Sequence, residues 1–461
     1  MTWIDPIRAF AELACSMPND AVPEHVLTFQ KKRILDNMAV AAAGRHADGL
    51  SQLDELFSSQ GTSSQVLLVG TDRKASLLDA CFYNSVAARA LDFCDVAFSG
   101  QHPSSTDVQV ALAVGSVTRS SGADILSAMA VGQDMADRLY SAVDPDNEFH
   151  GFDSNILSCF SASLIAGRLM KLTVDQQQDA FGLALNRMAG TFQNNRDGSL
   201  AVRLVQGFSS RAGVEAALLA RAGLTGPRRS LCGVGGFFDL YARRRDIDPT
   251  SLTDGLGVRF FGGQDRTCFK LYPSCSATLS LTDAALEIVR MVPFDLEDIA
   301  KVSLDITPVQ DALCGAPFEP GDSPAAAAMF SVHYVTANAL VRKSSRLEHF
   351  TADSILDPDL LALAKAVNVR VVPANLFDAC AVAVDLKDGR RLAASAKNGK
   401  GWPANPLSDS DFILKVEQCM EFAGYLDFAE RADRIHSVAA DMNEIDDVSI
   451  VLDMLKPAGA S

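Results

Sequence analysis

The sequence lacks the histidine and cysteine patterns that mark metal and redox sites. Its 461 residues include only seven histidines, and its ten cysteines are scattered without a CxxC pair. This scatter argues against zinc and iron–sulfur sites, and it is typical of free thiols in a reducing compartment. No complete GxGxxG motif follows a predicted strand either, so we expect neither a metal nor a nucleotide cofactor.

Positive charge and long apolar segments are also scarce. Lysine and arginine number 41 against 57 aspartates and glutamates, which gives a net charge of −16. A chain of this charge repels a phosphate backbone, so we expect no nucleic-acid partner. No segment is apolar for long enough to span a bilayer, and the first residues lack the apolar stretch of a secretory signal. We therefore expect a cytoplasmic protein that makes no membrane contact.

The sequence does contain a long series of helical patterns. With 48% hydrophobic residues, the chain has enough apolar surface for two or three domains. In residues 23–44, apolar side chains recur at helical spacing after Pro23 and stop at Gly44. Further helices are predicted for residues 76–90, 106–119, 124–143, 158–170, 174–189 and 209–222.

The pattern changes after about residue 265. Residues 299–306 alternate between apolar and polar side chains, as a half-buried strand does, and residues 381–395 form a predicted hairpin around Asp388-Gly389. A helix is predicted for residues 323–341, and helical patterns return after residue 406. We predict a mostly α fold with a smaller α+β domain. The predicted bounds are residues 1–265 plus 404–461 for the all-helical domain and residues 266–403 for the α+β domain.

A histidine that follows two carboxylates is the strongest candidate for chemistry. Asp92 and Asp95 precede His102 in a segment of small residues. An imidazole titrates near pH ~6.5 and a carboxylate can orient its ring, so this segment suits proton transfer at carbon near neutral pH. The alternative is that the aspartates are helix-end carboxylates and that His102 is a loop residue before a proline.

Three other positions are candidates for chemistry, and each has a structural alternative. Lys270 lies at the junction of the predicted domains, where it either binds an anion as a point charge or is solvated. Arg203 precedes a predicted helix, and it either makes a bidentate contact to a carboxylate or faces solvent. Asp153 follows a turn glycine, where helix capping competes with a role as a pocket acid.

Taken together, these segments resemble the MmgE/PrpD family in order and spacing. The resemblance rests on residues 92–104 (DFCDVAFSGQHPS), on the segment that begins at Arg203 and on residues 270–275 (KLYPSC). Residues 329–335 (MFSVHYV) and 402–408 (WPANPLS) are similar to later motifs of the family, so the resemblance extends over nearly the whole chain.

The resemblance implies a large helical domain formed by both ends of the chain, a smaller α+β domain and a pocket between the two. It also implies a homodimer and independence from metals and organic cofactors. Known members include 2-methylcitrate dehydratase, cis-aconitate decarboxylase and iminodisuccinate epimerase. Their common step is proton transfer beside a carboxylate of a small polycarboxylic acid.

The resemblance also assigns site residues. By position, Asp92, His102 and Lys270 match the family's active site, and we predict that they are catalytic. Four further residues are predicted to bind substrate: Arg203, Asp153, Cys275 and Asp95.

Three positions depart from the family pattern. The family often has histidine where Asp153 stands and lysine where Val202 stands, and decarboxylases of the animal type have histidine at the position of Cys275. The first two changes remove positive charge that a tricarboxylate would need. A substrate with fewer carboxylates, or one with an amine that pairs with Asp153, fits the altered charge equally well.

These observations predict a cofactor-independent lyase or isomerase of small di- or tricarboxylic acids. His102, oriented by Asp92, is expected to move a proton next to a carboxylate while Lys270 and Arg203 stabilise the developing charge. Dehydration of the 2-methylcitrate type is the first expectation. Decarboxylation, epimerisation and a binding paralogue that has lost catalysis are the alternatives.

Overall fold

The computed structural model describes residues 5–59, 64–98, 100–143, 151–242, 248–373 and 377–457. Among these residues, the first part of the chain is mostly helical, with three strands of two residues each where the sequence predicted helices alone. None of the helices in these residues combines the length and the apolar character that a membrane span needs. The helices are α1 Ile7–Ser16, α2 Glu24–Gly44, α3 Leu50–Ser59, α4 Leu77–Arg89, α5 Pro103–Thr118, α6 Gly122–Val143, α7 Ser158–Leu169, α8 Val174–Leu185, α9 Gln193–Arg196, α10 Leu204–Arg221 and α11 Phe237–Tyr241.

The core of this part is built from helices that approach closely. Helix α10 packs against α4, α7 and α8, while α4 also packs against α2 and α5. A Cβ atom at Gly213 of α10 would lie 2.7 Å from the carbonyl oxygen of Cys159 in α7. The small residues seen in the sequence therefore set the distance between these helices.

The second part is the predicted α+β region, and its main sheet has four strands. The strands of the chain are β1 Val66–Leu67, β2 Lys74–Ala75, β3 Val96–Ala97, β4 Thr267–Cys268, β5 Ile299–Ile306, β6 Asn368–Val371, β7 Ala379–Leu386 and β8 Arg391–Lys397. The order is β6-β5-β7-β8, with β6 parallel to β5 and the other neighbours antiparallel. Apolar residues of β7 alternate towards the core. The mostly α class with a smaller α+β domain is thus confirmed.

Helices cover this sheet and continue to the end of the described chain. They are α12 Leu279–Met291, α13 Pro308–Cys314, α14 Pro324–Met329, α15 Val332–Arg342, α16 Ala352–Ile355, α17 Pro358–Ala366, α18 Asp409–Phe422, α19 Phe428–Ala440 and α20 Ser449–Asp453. Ser408 caps α18, where its hydroxyl accepts a hydrogen bond from the Asp411 amide.

The single helix predicted for residues 323–341 is wrong. The structure has two helices there, because Ser331 caps the second one by accepting a hydrogen bond from the amide of Tyr334. The chain leaves helical geometry at Phe330, and this places the Phe330 side chain in the wall of the cavity described below.

Helices α18 and α19 pack against α2 in the first part of the chain. A fully buried ion pair fixes this contact, since Lys415 Nζ of α18 lies 2.5 Å from Asp36 Oδ1 of α2. The same ammonium donates a hydrogen bond to the Phe93 carbonyl over 2.8 Å. Lys415 therefore connects the end of the chain to the segment that carries Asp92 and His102.

We expect Lys415→Met to lower the free energy of unfolding by about 3–5 kcal/mol, because it leaves the Asp36 charge buried without a partner. Urea unfolding measures this loss. Lys365→Met is the matched control, since its pair with Glu319 is exposed and should contribute no more than about 1 kcal/mol. Equal losses in the two variants would contradict the role assigned to Lys415.

Candidate active site

Asp92 is the centre of a buried cluster of charges. It follows the end of α4 with a φ of 46°, in the left-handed region that few residues other than glycine adopt. Its Oδ1 accepts a hydrogen bond from Arg89 Nη1 at 2.6 Å, and its Oδ2 lies 2.9 Å from Lys270 Nζ. Lys270 also donates to the Asp92 carbonyl over 2.8 Å. All three side chains are buried, and the single carboxylate charge of Asp92 faces two positive charges, so the cluster has an excess of one positive charge.

A short antiparallel ladder brings Lys270 to this place. Strand β3 pairs with β4, with Val96 opposite Cys268 and Ala97 opposite Thr267. Lys270 follows β4 by two residues, and Asp92 precedes β3. The backbone pairing therefore joins segments that are about 170 residues apart in sequence, and it places the ammonium beside the carboxylate.

His102 stands at the start of α5 with its ring held by the backbone. Its Nδ1 lies 3.0 Å from the Asp95 carbonyl oxygen, and its amide donates to Asn155 Oδ1 over 2.7 Å. The Cys94 Sγ also lies 3.3 Å from Nδ1. A carbonyl oxygen can only accept, so in the shorter hydrogen bond Nδ1 carries the proton and Nε2 keeps a lone pair. Nε2 lies 3.9 Å from Asp92 Oδ1, beyond hydrogen-bond distance. The imidazole is thus oriented by the hydrogen bond that it donates to the Asp95 carbonyl. The sequence had predicted that Asp92 orients it.

The surroundings of His102 favour the neutral ring. Burial, and then the charges of Arg89 and Lys270, lower the pKa of His102 well below its ordinary value of 6.5. A neutral imidazole with a free lone pair is the form that can accept a proton from a substrate.

A cavity of about 90 Å³ lies in front of this cluster. Both parts of the chain contribute to its wall, including Arg89 and His102 from the first part and Lys270 and Leu313 from the second. Much of the remaining surface is aromatic, from five phenylalanines and one tryptophan: Phe98, Phe152, Phe192, Phe330, Phe377 and Trp402.

Trp402 is held in this wall by a tight backbone contact. A Cβ atom at Gly401 would lie 1.9 Å from the carbonyl oxygen of Phe269, so only glycine fits there. The indole stacks on Phe98 with a centroid distance of 5.0 Å. Its Nε1 is buried without a hydrogen-bond partner among the described residues, and a ligand with an acceptor group would satisfy it.

Of the predicted substrate-binding residues, Asp153 and Cys275 line the cavity. Asp153 Oδ1 accepts hydrogen bonds from the amide and the side chain of Asn155, and burial raises the pKa of Asp153. A hydrogen bond with the Cys314 thiol lowers the pKa of Cys275. Asp153 therefore caps a helical turn and faces the cavity at the same time, so both of its sequence interpretations apply.

The structure does not bring Asp95 and Arg203 into the cavity wall. The Asp95 carboxylate accepts a hydrogen bond from the Ser104 hydroxyl over 2.7 Å and lies behind the site. Arg203 donates to the Asp48 carbonyl over 2.8 Å, while its neighbour Val202 lines the cavity. The guanidinium that faces the cavity belongs instead to Arg89, which the sequence analysis missed. The one sign of this role in the sequence is that Arg89 stands three residues before Asp92 at the end of a predicted helix. Many surface arginines also stand three residues from an aspartate.

Metal ligation has no candidate in the part of the chain that the structure describes. No group of three or more histidine, cysteine, aspartate or glutamate side chains is arranged to hold an ion there. The cationic side chains at the cavity are those of Arg89 and Lys270, and they suit an organic anion.

Comparison with known proteins agrees with the two-part architecture. Residues 8–250 match the MmgE/PrpD N-terminal domain, and residues 272–443 match the MmgE/PrpD C-terminal domain. The chain belongs to the MmgE/PrpD family. The resemblance seen in the sequence is thereby confirmed. Lys270 lies in the interval between the two matches, and the cavity wall contains residues of both domains, such as His102 and Leu313.

Curated relatives within the MmgE/PrpD family include several decarboxylases. The chain is 24% identical to cis-aconitate decarboxylase of Mus musculus over 97% of its own length and 93% of the relative. The corresponding human protein is also 24% identical, over 97% and 94%. The enzyme of the same name from Aspergillus terreus is 23% identical over 96% and 94%.

Proposed function

We propose that this MmgE/PrpD protein is a lyase of a small carboxylic acid, and that His102 moves a proton at the carbon next to a carboxylate. The observation that carries the proposal is the His102 imidazole, which is neutral and has Nε2 free at the cavity wall beside two cations. Curated relatives in the family are named cis-aconitate decarboxylase, and these names support chemistry of this class.

The charges around His102 suit the intermediate of such a reaction. When a proton leaves the carbon, negative charge moves onto the substrate carboxylate, and Arg89 and Lys270 stand where they can stabilise it. The imidazolium that forms is stabilised by Asp92, whose Oδ1 lies 3.9 Å from Nε2. Asp92 thus stabilises the protonated form of His102, although it makes no hydrogen bond with the neutral form.

Three outcomes involve proton transfer at such a carbon. Loss of water and epimerisation begin when His102 removes the proton, whereas in decarboxylation the departing carbon dioxide leaves an electron pair on the carbon, which then takes up a proton. Loss of carbon dioxide corresponds to the names of the curated relatives. Loss of water is the outcome predicted from the sequence, and return of the proton to the opposite face gives epimerisation. The homodimer and the cytoplasmic location also stay predictions.

Incubation in deuterated buffer, followed by NMR, tests the proposal. The panel contains 2-methylcitrate, citrate, cis-aconitate, iminodisuccinate and 3-hydroxy-3-phenylpropanoate. Deuterium uptake, dehydration or decarboxylation of one of these acids is the expected result, and the product identifies the reaction. A folded protein that leaves every acid unchanged would contradict the proposal and favour a binding paralogue, for which Val202 and Asp153 in the cavity wall are the supporting observations.

The pH profile gives a second prediction. Because the pKa of His102 is lowered, the acid limb of kcat/KM should lie below pH 6.5. Arg89 is the main charged group that lowers this pKa, so Arg89→Gln should raise it and move the acid limb to higher pH. Arg203→Gln is the matched control, since this buried arginine is outside the cavity wall and should leave the limb in place. Equal shifts in the two variants would contradict the assignment.

A further inference from the structure

The charge of the site limits how many carboxylates it can neutralise. Arg89 and Lys270 bring two positive charges, and both contact the single negative charge of Asp92. Among the described residues of the cavity wall, no other lysine or arginine is present, and the wall also contains Asp153. At most one positive charge is therefore left over, which matches no more than one carboxylate and leaves the others of a tricarboxylate without a partner in a buried site.

The rest of the wall suits an apolar group. Six phenylalanine and tryptophan side chains surround the charged cluster, although aromatic residues are only 7% of the sequence. Burying an apolar substituent against such a wall is favourable, whereas a carboxylate placed there would lose its hydration. The unpartnered Nε1 of Trp402 offers one hydrogen bond to a neutral acceptor or to an oxygen of the bound carboxylate.

A larger compartment of about 670 Å³ adjoins the cavity and leads away from it. The two share wall residues, among them Phe192, Val202, Leu313 and Phe330. Four carboxylate side chains line the larger compartment, and none of its described wall residues is lysine or arginine: Asp197, Asp311, Glu319 and Asp322. Lys365, which is outside the wall, pairs with Glu319, so the negative charge of the compartment comes from the three aspartates. Exposed carboxylates repel an approaching anion in proportion to its charge, so a trianion is disfavoured more than a monoanion.

We infer that the site takes a monocarboxylate with an apolar, aryl-sized substituent and discriminates against tricarboxylates. The inference rests on the proposed function, because that function identifies Arg89 and Lys270 as the residues that bind the carboxylate. The carboxylate binds at Arg89 and Lys270, with the adjacent carbon facing His102. The apolar substituent lies along Phe192, Leu313 and Phe330, where the cavity meets the larger compartment.

Trp402 provides a binding measurement that does not depend on turnover. The sequence has two tryptophans, so a Trp3→Phe variant makes Trp402 the sole reporter of the cavity. Its emission is followed during titration with 3-phenylpropanoate, propanoate and propane-1,2,3-tricarboxylate. We expect 3-phenylpropanoate to bind at least about tenfold more tightly than propanoate, because the phenyl ring is buried. It should also bind more tightly than the tricarboxylate.

A charge introduced into the wall should change this order. Val202→Lys adds a cation at a position shared by both compartments, and it should improve tricarboxylate binding by about tenfold relative to 3-phenylpropanoate. Leu313→Lys, at a less buried position of the same wall, is the second variant if Val202→Lys fails to fold. Val234→Lys is the matched control, since Val234 is fully exposed and lines neither compartment.

The result that would overturn the inference is tighter binding of the tricarboxylate than of 3-phenylpropanoate by the wild-type cavity. Failure of 3-phenylpropanoate to bind would overturn it equally. These outcomes are distinct from a failure of the proposed function, because that failure appears as missing deuterium uptake while the order of binding is preserved.

Discussion

Replacing His102 with asparagine should lower turnover by about two to four orders of magnitude. The asparagine amide can still donate to the Asp95 carbonyl, as Nδ1 of His102 does over 3.0 Å. It offers no lone pair in place of Nε2, so the proton acceptor is lost while the local hydrogen bond is kept. Steady-state turnover of the acid that reacts in deuterated buffer measures the effect.

His333→Asn is the matched control for this variant. His333 is also buried, at 8% exposure against 7% for His102, but it does not line the cavity. Its replacement should leave turnover within a few-fold of the wild type. Near wild-type turnover of His102→Asn, or an equal loss in His333→Asn, would show that His102 is not the proton carrier.

The Asp92→Asn variant should lose about 3–5 kcal/mol of unfolding free energy, together with most of its activity. The amide keeps the shape of the side chain, and asparagine tolerates the left-handed backbone found at this position. The carboxylate charge is nevertheless gone, and Arg89 and Lys270 remain buried with two unpaired positive charges. Urea denaturation, followed by far-UV circular dichroism, measures the loss.

An exposed aspartate serves as the control. Asp305 contacts Arg370 through both of its oxygens, but this pair is exposed to solvent, and Asp305→Asn should cost no more than about 1 kcal/mol. Removing a second charge should restore stability, so the double variant Asp92→Asn with Lys270→Met should be more stable than Asp92→Asn alone. A single variant as stable as Asp305→Asn would show that the cluster does not need its central charge.

Local patterns in the sequence were sufficient to place most elements of the fold. The apolar spacing of residues 23–44 and the alternation of residues 299–306 both correspond to elements with nearly the same bounds. These signals depend on neighbouring residues alone. The one helix that was predicted wrongly fails for a local reason too, because the capping of α15 by Ser331 competes with continuation of the helix.

The arrangement of the site depends on contacts that no local pattern contains. Lys270 reaches Asp92 through the pairing of β3 with β4, two strands of two residues each. Sequence reasoning chose Arg203 as a second cation beside Lys270, because it precedes a predicted helix. The direction of a side chain depends on how its helix is rotated, however, and here Val202 faces the cavity while Arg203 turns towards Asp48.

The aromatic wall was missed for a similar reason. Its phenylalanines come from distant segments, and each one alone is a normal core residue. Only their convergence on one small cavity distinguishes them. The same convergence explains how a chain with a net charge of −16 can hold an anion, since the local excess of one positive charge lies in a buried site where solvent screens it little.

Deuterium incorporation at the carbon beside a carboxylate is the most direct test of proton transfer by His102 Nε2. Initial rates of incorporation are measured by NMR for the wild type and for His102→Asn with the same acid. We expect rapid incorporation by the wild type and a loss of at least about a hundredfold in the variant. Equal rates of incorporation in the two proteins would contradict proton transfer by His102.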